Sequence, residues 1–207
     1  MSTPEITLHG TRLSGHCHRA ELLLLMLGLP YRYEESPASV RQTPAFAQLN
    51  PLQQVPVLQD GEITLCDSNA ILVYLAKRYA AGSQWLPEEP LPAAQVQRWL
   101  SVAAGEVMHG PAVARMTVLW NYPADLARSH KIAERLLKFM DTHLEGRSFL
   151  AADHATIADL ACYSYVAHAP EGRVSLAAYQ SVQAWLRRVE ALPNFQPMPV
   201  SQIPEAA

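Results

Sequence analysis

The run Ser14-Gly15-His16-Cys17-His18-Arg19 gathers a hydroxyl, a thiol, two imidazoles and a guanidinium within six residues. It follows a predicted strand over residues 5–9 and leads into a strongly apolar helix predicted over 18–27. In open α/β folds, ligands bind where strands end and helices begin, and the first amides of a helix favour an anion. The sequence therefore allows two interpretations of Ser14, chemistry on an anionic ligand or the N-cap of the helix.

Cys17 also allows two interpretations. A buried cysteine behaves as a small hydrophobe, whereas the amides of a helix's first turn can lower the pKa of a thiol and make it reactive. The neighbouring imidazoles do not predict a metal site. Consecutive helical residues point about 100° apart, and the sequence offers no fourth ligand at a recognised spacing. We therefore expect no metal.

Two later segments carry further candidate binding residues. In Asn50-Pro51-Leu52-Gln53-Gln54-Val55-Pro56, a proline directly before a strand indicates an edge position or a cis bond. In Asp67-Ser68-Asn69-Ala70-Ile71, the first two residues suit an N-cap. The same helix start also suits a zwitterionic ligand, because its amides would take a carboxylate and Asp67 an ammonium group.

The elements that must position these segments alternate between strand and helix. Further strands are predicted over 31–35 and on both sides of Asp60-Gly61, and helices over 43–49 and 67–79. The Asp-Gly pair predicts a hairpin with a type I′ turn, which needs positive φ at both positions. The order strand, helix, strand, helix, hairpin, helix predicts an α/β unit with a mixed sheet.

Beyond residue 80 the pattern becomes helical. Pro87, Pro90 and Pro92 indicate a linker. Four helices are predicted after it, over 93–121 with a kink or break at Gly110-Pro111, over 123–145, from Thr156, and over 179–192. The domains are therefore placed at 1–80 and 92–207, with a linker at 81–91. The helix from Thr156 is expected to open with a capping box.

Composition excludes several classes of protein. The 207 residues carry 16 basic and 19 acidic side chains, for a net charge of −3, without a block of like charges. This argues against a nucleic-acid or anionic-membrane partner. The apolar run over residues 22–27, like every other in the sequence, is too short to cross a membrane. Three cysteines without a Cys-x-x-Cys pair favour a reducing compartment, so we expect a cytoplasmic protein.

The three polar segments, in this order and spacing, resemble the glutathione transferase superfamily in its soluble bacterial branch. The residues from Thr156 to Asp159 resemble that family's helix-capping motif. The resemblance covers the whole chain. It implies an α/β, thioredoxin-like N-terminal domain followed by an all-α C-terminal helical domain.

The resemblance also implies a role for each site residue. Ser14 corresponds to the catalytic serine of the serine-type classes. Gln53 takes the place of a common glycine, which leaves open whether Gln53 or Gln54 contacts glutathione. The run from Ser14 to Cys17 is no standard class signature, so the class is also left open. The expected glutathione-binding residues are Gln54 near the glycine carboxylate, Val55 through its backbone beside a cis Pro56, and Asp67 and Ser68 at the γ-glutamyl end.

The implied function is a glutathione transferase that activates the thiol of glutathione for attack on an electrophilic small molecule. Glutathione is then a co-substrate, and no tightly bound cofactor is expected. Two alternatives are a glutathione-dependent disulfide reductase that uses Cys17, and a non-catalytic protein that binds glutathione or apolar ligands.

The electrophile site is expected between the domains, against the kinked helix. Its candidate residues are Met108, His109, Arg115, Met116 and Trp120. From the family we also expect a homodimer, paired across the third helix of the first domain and the long helices.

Overall fold

A computed structural model describes residues 5–204. Four strands, nine α-helices and a short 3-10 helix (Ala169–Gly172) occur in this part of the chain, and a π-helical segment (Ala103–Ala112) joins α5 to α6. The elements are β1 (Ile6–Gly10), α1 (Gly15–Met26), β2 (Tyr31–Glu35), α2 (Ala38–Arg41), α3 (Pro44–Leu49), β3 (Val57–Asp60), β4 (Ile63–Cys66), α4 (Ser68–Tyr79), α5 (Pro90–Val102), α6 (Val113–Trp120), α7 (Leu126–Leu144), α8 (Ile157–Ala167) and α9 (Gln180–Glu190).

The four strands form one mixed sheet in the order β2-β1-β3-β4. β1 and β2 are parallel, whereas β3 is antiparallel to both of its neighbours. The prediction of an α/β domain with a mixed sheet, followed by a helical domain, is confirmed. α1 contacts α4 in the first domain and α8 in the second. This position between two layers explains why its leucines at 22–24 are all buried.

The hairpin forms where predicted, but its turn differs. Asp60 pairs with Ile63 as the last residue of β3, so the turn consists of Gly61 and Glu62. Only Gly61 has positive φ, at 55°. The type I′ prediction, which required positive φ at Asp60 and Gly61, is therefore wrong.

Local capping explains where several helices begin. α1 begins at Gly15, three residues earlier than predicted, because Ser14 caps it. α7 begins after Asp125, whose carboxylate accepts a hydrogen bond from Arg128 N at 3.0 Å, and Pro123 lies before the helix. The expected capping box opens α8. α5 begins at Pro90, and the domain limits at 80/81 and 91/92 stay a prediction.

The predicted kink or break at Gly110-Pro111 takes the form of π-helical turns, so the rod from α5 to α6 is continuous. α7 explains the glycine, because a Cβ on Gly110 would lie 2.8 Å from the backbone nitrogen of Ala133. The wider turns and the missing side chain let two helices approach closely. Within residues 5–204, no helix is long and apolar enough to span a membrane.

Candidate active site

The strand register brings the three polar segments to one edge of the sheet. His9, near the end of β1, pairs with Val57 at the start of β3, and Val57 pairs with Cys66 at the end of β4. The turn to Ser14 therefore leaves the sheet beside the segment that enters β3 and the segment that leaves β4. Residues separated by about fifty positions in sequence become neighbours.

Ser14 is partly buried at the N-terminus of α1. Its Oγ accepts a long hydrogen bond, 3.4 Å, from Cys17 N. The ring of Tyr165 packs on the same turn so closely that a Cβ on Gly15 would lie 2.9 Å from it. Burial raises the pKa of the Tyr165 phenol, against smaller opposing effects of Arg19 and a hydrogen bond with Ser14. The serine thus combines both interpretations of the sequence: it caps α1, and its hydroxyl lies where helix amides favour an anion.

The segment before β3 leaves backbone groups free. The Val55–Pro56 peptide bond is cis, as the resemblance implied. Asn50 is buried and its Nδ2 donates a hydrogen bond to the carbonyl oxygen of Gln54 at 2.9 Å, which fixes the loop. Within residues 5–204, Val55 makes no backbone hydrogen bond. Its amide and carbonyl can therefore pair with an extended peptide ligand.

Two site residues have backbone conformations that non-glycine residues seldom adopt. Gln53 has φ of 54° and Asp67 has φ of 72°. Strained conformations of this kind cluster at functional sites. The positive φ of Gln53 also explains why glycine is common at this place in the family, because glycine adopts this conformation without steric cost.

Asp67 and Ser68 begin α4 in different environments. Asp67 is exposed, and its Oδ1 accepts hydrogen bonds from Asn69 N and Ala70 N, both at 2.9 Å. Ser68 is buried, and its Oγ lies 3.4 Å from Arg19 Nη1 and 3.3 Å from His16 Nδ1. The hydroxyl of Ser68 thus connects α4 to the first turns of α1. The ligand contacts expected of Gln54, Val55, Asp67 and Ser68 stay predictions.

The sequence analysis named Arg19 in the run that begins at Ser14 but gave it no role. It is fully buried, and its Nη1 donates a hydrogen bond to Asn69 Oδ1 at 3.1 Å. In the part of the chain that the structure describes, its Nε and Nη2 have no hydrogen-bond partner and no carboxylate forms an ion pair with it. Burial lowers its pKa. A cation inside an apolar helix is a sequence signal for such a residue.

Cys17 does not have the surroundings of a reactive thiol. Its side chain is only 1% exposed. Burial raises its pKa to about 11, and a hydrogen bond with Ser14 compensates only in part. Reactive cysteines are partly exposed and have lowered pKa values. The disulfide-reductase alternative is therefore not favoured.

The residues predicted for the electrophile site lie in different surroundings. Met108 is partly buried and its Sδ lies 3.4 Å from His16 Nε2, so it adjoins the segments that are predicted to bind glutathione. His109 is exposed. Met116 and Trp120 lie on α6, where Trp120 is half exposed.

Arg115 is buried and committed to internal partners. Its Nε donates to Glu171 Oε2 at 2.6 Å and its Nη1 donates to the carbonyl oxygen of Leu13 at 2.8 Å. Because Leu13 directly precedes Ser14, Arg115 supports the turn that carries Ser14. A direct contact between Arg115 and an electrophile stays a prediction. Among residues 5–204, no cluster of histidine, cysteine, aspartate or glutamate has the size of a metal site.

Known proteins are similar to this chain in sequence and fold. Residues 8–85 match the family model for the N-terminal domain of glutathione S-transferases, and residues 121–197 match the model for the C-terminal domain. The chain is 32% identical over 167 residues to glutathione S-transferase theta-1 of Rattus norvegicus. The matched region covers 71% of this chain and 65% of the rat protein. It thus spans just under two thirds of that relative's length.

Two solved structures are similar over nearly the whole chain. A glutathione S-transferase from Pseudomonas fluorescens superposes with a TM-score of 0.88 at 34% identity, covering 93% of this chain and 98% of that one. The theta-class enzyme of Xanthomonas axonopodis pv. citri, with glutathione bound, gives a TM-score of 0.82 at 27% identity, covering 92% and 95%. With both domain models matched and the fold reproduced at this identity, the chain belongs to the glutathione S-transferase family.

Proposed function

We propose that this protein is an enzyme that activates the thiol of glutathione for attack on an electrophilic small molecule. One observation carries the proposal. The hydroxyl of Ser14 lies at the N-terminus of α1, on the sheet edge that also holds the free backbone of Val55 and the start of α4. Hydroxyl, extended backbone and helix amides together match a thiol-bearing peptide with a free amino-acid end.

These groups can supply the free energy that is needed to lower the pKa of the glutathione thiol. A free thiol has a pKa of about 8.5, so little thiolate exists at neutral pH. Lowering this pKa by about two units requires roughly 2.7 kcal/mol of preferential thiolate stabilisation. A hydrogen bond to a charged group contributes about 1.5–3 kcal/mol, and a helix N-terminus about 0.3–1 kcal/mol. Ser14 donating to the sulfur at the start of α1 is therefore sufficient, and Ser14 need not itself act as a nucleophile.

Glutathione is held along the same edge in this proposal. Val55 pairs with the cysteinyl part through its backbone, and Gln54, which is exposed beside it, lies near the glycine carboxylate. The amides at the start of α4 take the γ-glutamyl carboxylate, and Asp67 takes the ammonium group. The oxygen of Asp67 that does not cap α4 remains available for this contact.

The reaction is tested by following the thiolate absorbance of added glutathione against pH, with S-methylglutathione as the blank. We expect the bound thiol to ionise about two pH units below the free thiol. Ser14→Gly removes the hydroxyl but costs a helix cap only a few tenths of a kcal/mol. At a pH below the pKa of the bound thiol, we expect it to lower kcat by about 10–10²-fold, which corresponds to a rise in that pKa of about one to two units.

Two variants make this test specific. Ser14→Thr keeps a hydroxyl and a capping oxygen, and we expect it to retain much of the activity. Ser148→Ala removes an exposed serine far from the sheet edge and should have no effect. Full conjugation activity in Ser14→Gly, or a bound thiol with the pKa of free glutathione, would contradict the proposal. Saturable binding without turnover on any electrophile would favour the binding-protein alternative.

We also propose that the protein forms a homodimer across α4 and α5. A groove of about 780 Å³ separates these helices, and the side chains that line it include Asp67, Val73, Lys77, Leu100 and Ala104. Since Asp67 belongs both to the groove and to the expected glutathione site, a second copy in this groove would lie next to bound glutathione.

Light scattering of the purified protein tests the dimer. Ala104 is exposed in the monomer, so Ala104→Arg should fold normally but should shift the mass towards the monomer. Ala177→Arg, at an exposed position outside the groove, serves as the control. A wild-type protein that is monomeric at working concentration would contradict this part of the proposal.

The cytoplasm is the location that we propose. Cys17, Cys66 and Cys162 are all free thiols. Disulfides form and persist in oxidising compartments, whereas reducing ones keep thiols free. A reporter fusion, or fractionation of the source cells, tests this location, and recovery of the protein from an oxidising compartment would contradict it.

A further inference from the structure

His16 joins the two halves of the active site and has no role in the function proposed so far. Its Nδ1 lies 3.3 Å from Ser68 Oγ at the start of α4, and its Nε2 lies 3.4 Å from Met108 Sδ in the π-helical segment. Tyr165 packs edge-on against the ring, with ring centroids 5.1 Å apart. The imidazole therefore extends from the expected γ-glutamyl end of glutathione to the expected electrophile side.

The positions of the protons on this ring follow from its neighbours. Arg19 is a donor only, and its Nη1 directs a proton at Ser68 Oγ over 3.4 Å. The single hydroxyl proton of Ser68 is then free to be donated to His16 Nδ1. A neutral imidazole that accepts at Nδ1 carries its proton on Nε2. The Nε2–H group therefore faces Met108.

The surroundings keep this ring neutral. Burial lowers the pKa of His16 to about 3, and the positive charge of Arg19 acts in the same direction. Of the titratable groups around the ring, Arg19 on α1 is a donor only, and the phenol of Tyr165 on α8 is neutral because burial raises its pKa. At physiological pH the ring is thus a hydrogen-bond donor at Nε2 without a charge of its own.

The donor at Nε2 is poorly satisfied. A thioether sulfur is a weak acceptor, and the 3.4 Å contact with Met108 is the hydrogen bond that the structure gives this atom. A thiolate accepts far more strongly, because a hydrogen bond to a charged group is about twice as strong as a neutral one. Both His16 and Met108 are only partly buried.

In the pose proposed above, the sulfur of glutathione lies between the start of α4 and the electrophile, and the His16 ring connects the same two regions. Building on the transferase function proposed above, we propose that His16 is a second catalytic residue, whose Nε2–H donates a hydrogen bond to the sulfur of bound glutathione. Arg19 and Ser68 act as positioning residues, since they hold the ring in the tautomer that donates at Nε2.

The proton balance assigns His16 a donor's role and not that of a base. When the S–H bond of glutathione breaks, the proton leaves to water, because Nδ1 is engaged by Ser68 and Nε2 is already protonated. The sulfur keeps the electron pair and accepts from Ser14 and His16. That pair then forms the bond between sulfur and the electrophilic carbon, and the leaving group departs with the electrons of the bond that breaks.

Substitutions of similar size separate donation from packing. His16→Phe keeps a ring but removes both nitrogens, whereas His16→Gln places an amide donor near the position of Nε2. Met108→Leu removes the thioether and leaves the imidazole in place. Each variant is compared with the wild type for its thermal midpoint, its affinity for S-methylglutathione and the pKa of bound glutathione.

We expect His16→Phe to raise the pKa of the bound thiol by about one unit, which is tenfold less thiolate at a pH below that pKa. Its affinity for S-methylglutathione should change less than about twofold, because the thioether does not need the donor. His16→Gln should recover most of the lost ionisation, and Met108→Leu should leave the pKa of the bound thiol unchanged.

The outcomes distinguish this inference from the proposed function. If the wild type does not ionise bound glutathione below the free value, both are refuted. If it does and His16→Phe ionises it equally well, only the role of His16 is refuted. An equal rise in the pKa of the bound thiol with Met108→Leu would show that His16 acts only by packing against Met108, which also refutes donation to the sulfur.

Discussion

Ser14 and Cys17 lie three residues apart at the start of α1, yet their surroundings differ. The serine is partly buried on the side where the three polar segments meet, whereas the thiol faces β1 and β2. A Cβ on Gly10 would lie 3.0 Å from Cys17 Sγ and 2.6 Å from the hydroxyl of Tyr33, which shows how closely this thiol is enclosed. Exposure, and not residue type, decides which of the two can reach a ligand.

Removing the Cys17 thiol should leave conjugation intact. We expect Cys17→Ala to change kcat/KM less than about twofold, at a stability cost of about 1–2 kcal/mol for the lost buried sulfur. In the folded wild type at pH 8, this thiol should react with a thiol reagent far more slowly than in the unfolded chain, because burial raises its pKa to about 11. Loss of turnover in a folded Cys17→Ala protein would restore the reductase alternative.

At the scale of the elements, the π-helical segment depends on a single missing side chain. Gly110→Ala introduces a Cβ only 2.8 Å from Ala133 N on α7, whereas a Cβ on Gly105, in the same segment, meets no atom within 4 Å. We expect Gly110→Ala to lower the free energy of unfolding by about 1–3 kcal/mol through overpacking. Gly105→Ala should be neutral or stabilise by about 0.5–1 kcal/mol.

Urea unfolding of the two variants measures this difference. Because both replace glycine by alanine in one segment, the effect on the unfolded chain cancels in the comparison. Equal stabilities for Gly110→Ala and Gly105→Ala would mean that α7 does not approach the segment as closely as the structure has it.

The start of α8 joins two helices through one carboxylate. Asp159 is fully buried and accepts hydrogen bonds from Leu150 N, Thr156 N and Trp185 Nε1, each at 2.9 Å. In Asp159→Asn, the side-chain NH₂ replaces one of the accepting oxygens, so at least one of these donors loses its hydrogen bond and faces another donor. We expect the free energy of unfolding to fall by about 2–4 kcal/mol. Asp153→Asn, at an exposed site, is the control. A loss below about 0.5 kcal/mol in urea unfolding would contradict this assignment.

Much of the fold could be predicted from the sequence, because local sequence signals determine where its elements begin and end. The glycine stop after α1, the capping box of α8 and the alternation in the first domain each depend on a few neighbouring residues. The contact of His16 with Ser68 could not be predicted from the sequence, since it joins residues 52 positions apart. The π-helical turns could not be predicted either. Packing of α7 against Gly110 favours them, and the periodicity of the sequence does not distinguish π-helical from α-helical turns.

At the scale of the whole molecule, the turn that carries Ser14 depends on the second domain. Arg115 on α6 holds the carbonyl of Leu13, and His18 on α1 contacts Ser164 Oγ on α8 and the carbonyl of Gln196, both at 2.8 Å. The segment that carries the expected catalytic serine is therefore fixed by helices of the other domain. Weakening these helices should misplace Ser14 as well as lower stability.

Glu171 is the carboxylate on which this link between the domains depends. It pairs with Arg115 at 2.6 Å, and its Oε1 accepts from His168 Nδ1 at 2.6 Å and from Ser201 N at 3.1 Å. Burial alone would raise the pKa of Glu171, but the hydrogen bonds from His168 and Arg115 outweigh burial and hold its pKa below the usual value of 4.5. The carboxylate therefore favours the folded state above pH 4.5, and this contribution is lost as the pH falls from about 4.5 through the lower folded-state pKa.

Glu171→Gln leaves the Arg115 cation buried without its counter-ion. We expect it to lower the free energy of unfolding at pH 7 by about 3–5 kcal/mol. The part of the acid destabilisation that Glu171 contributes should also disappear. Urea unfolding at pH 7 and at several lower pH values measures both effects, with the exposed Glu134→Gln as the control. If the pH dependence of stability is the same in Glu171→Gln and Glu134→Gln, the pKa of Glu171 is not lowered and the pair does not link Ser201, α6 and the turn that carries Ser14.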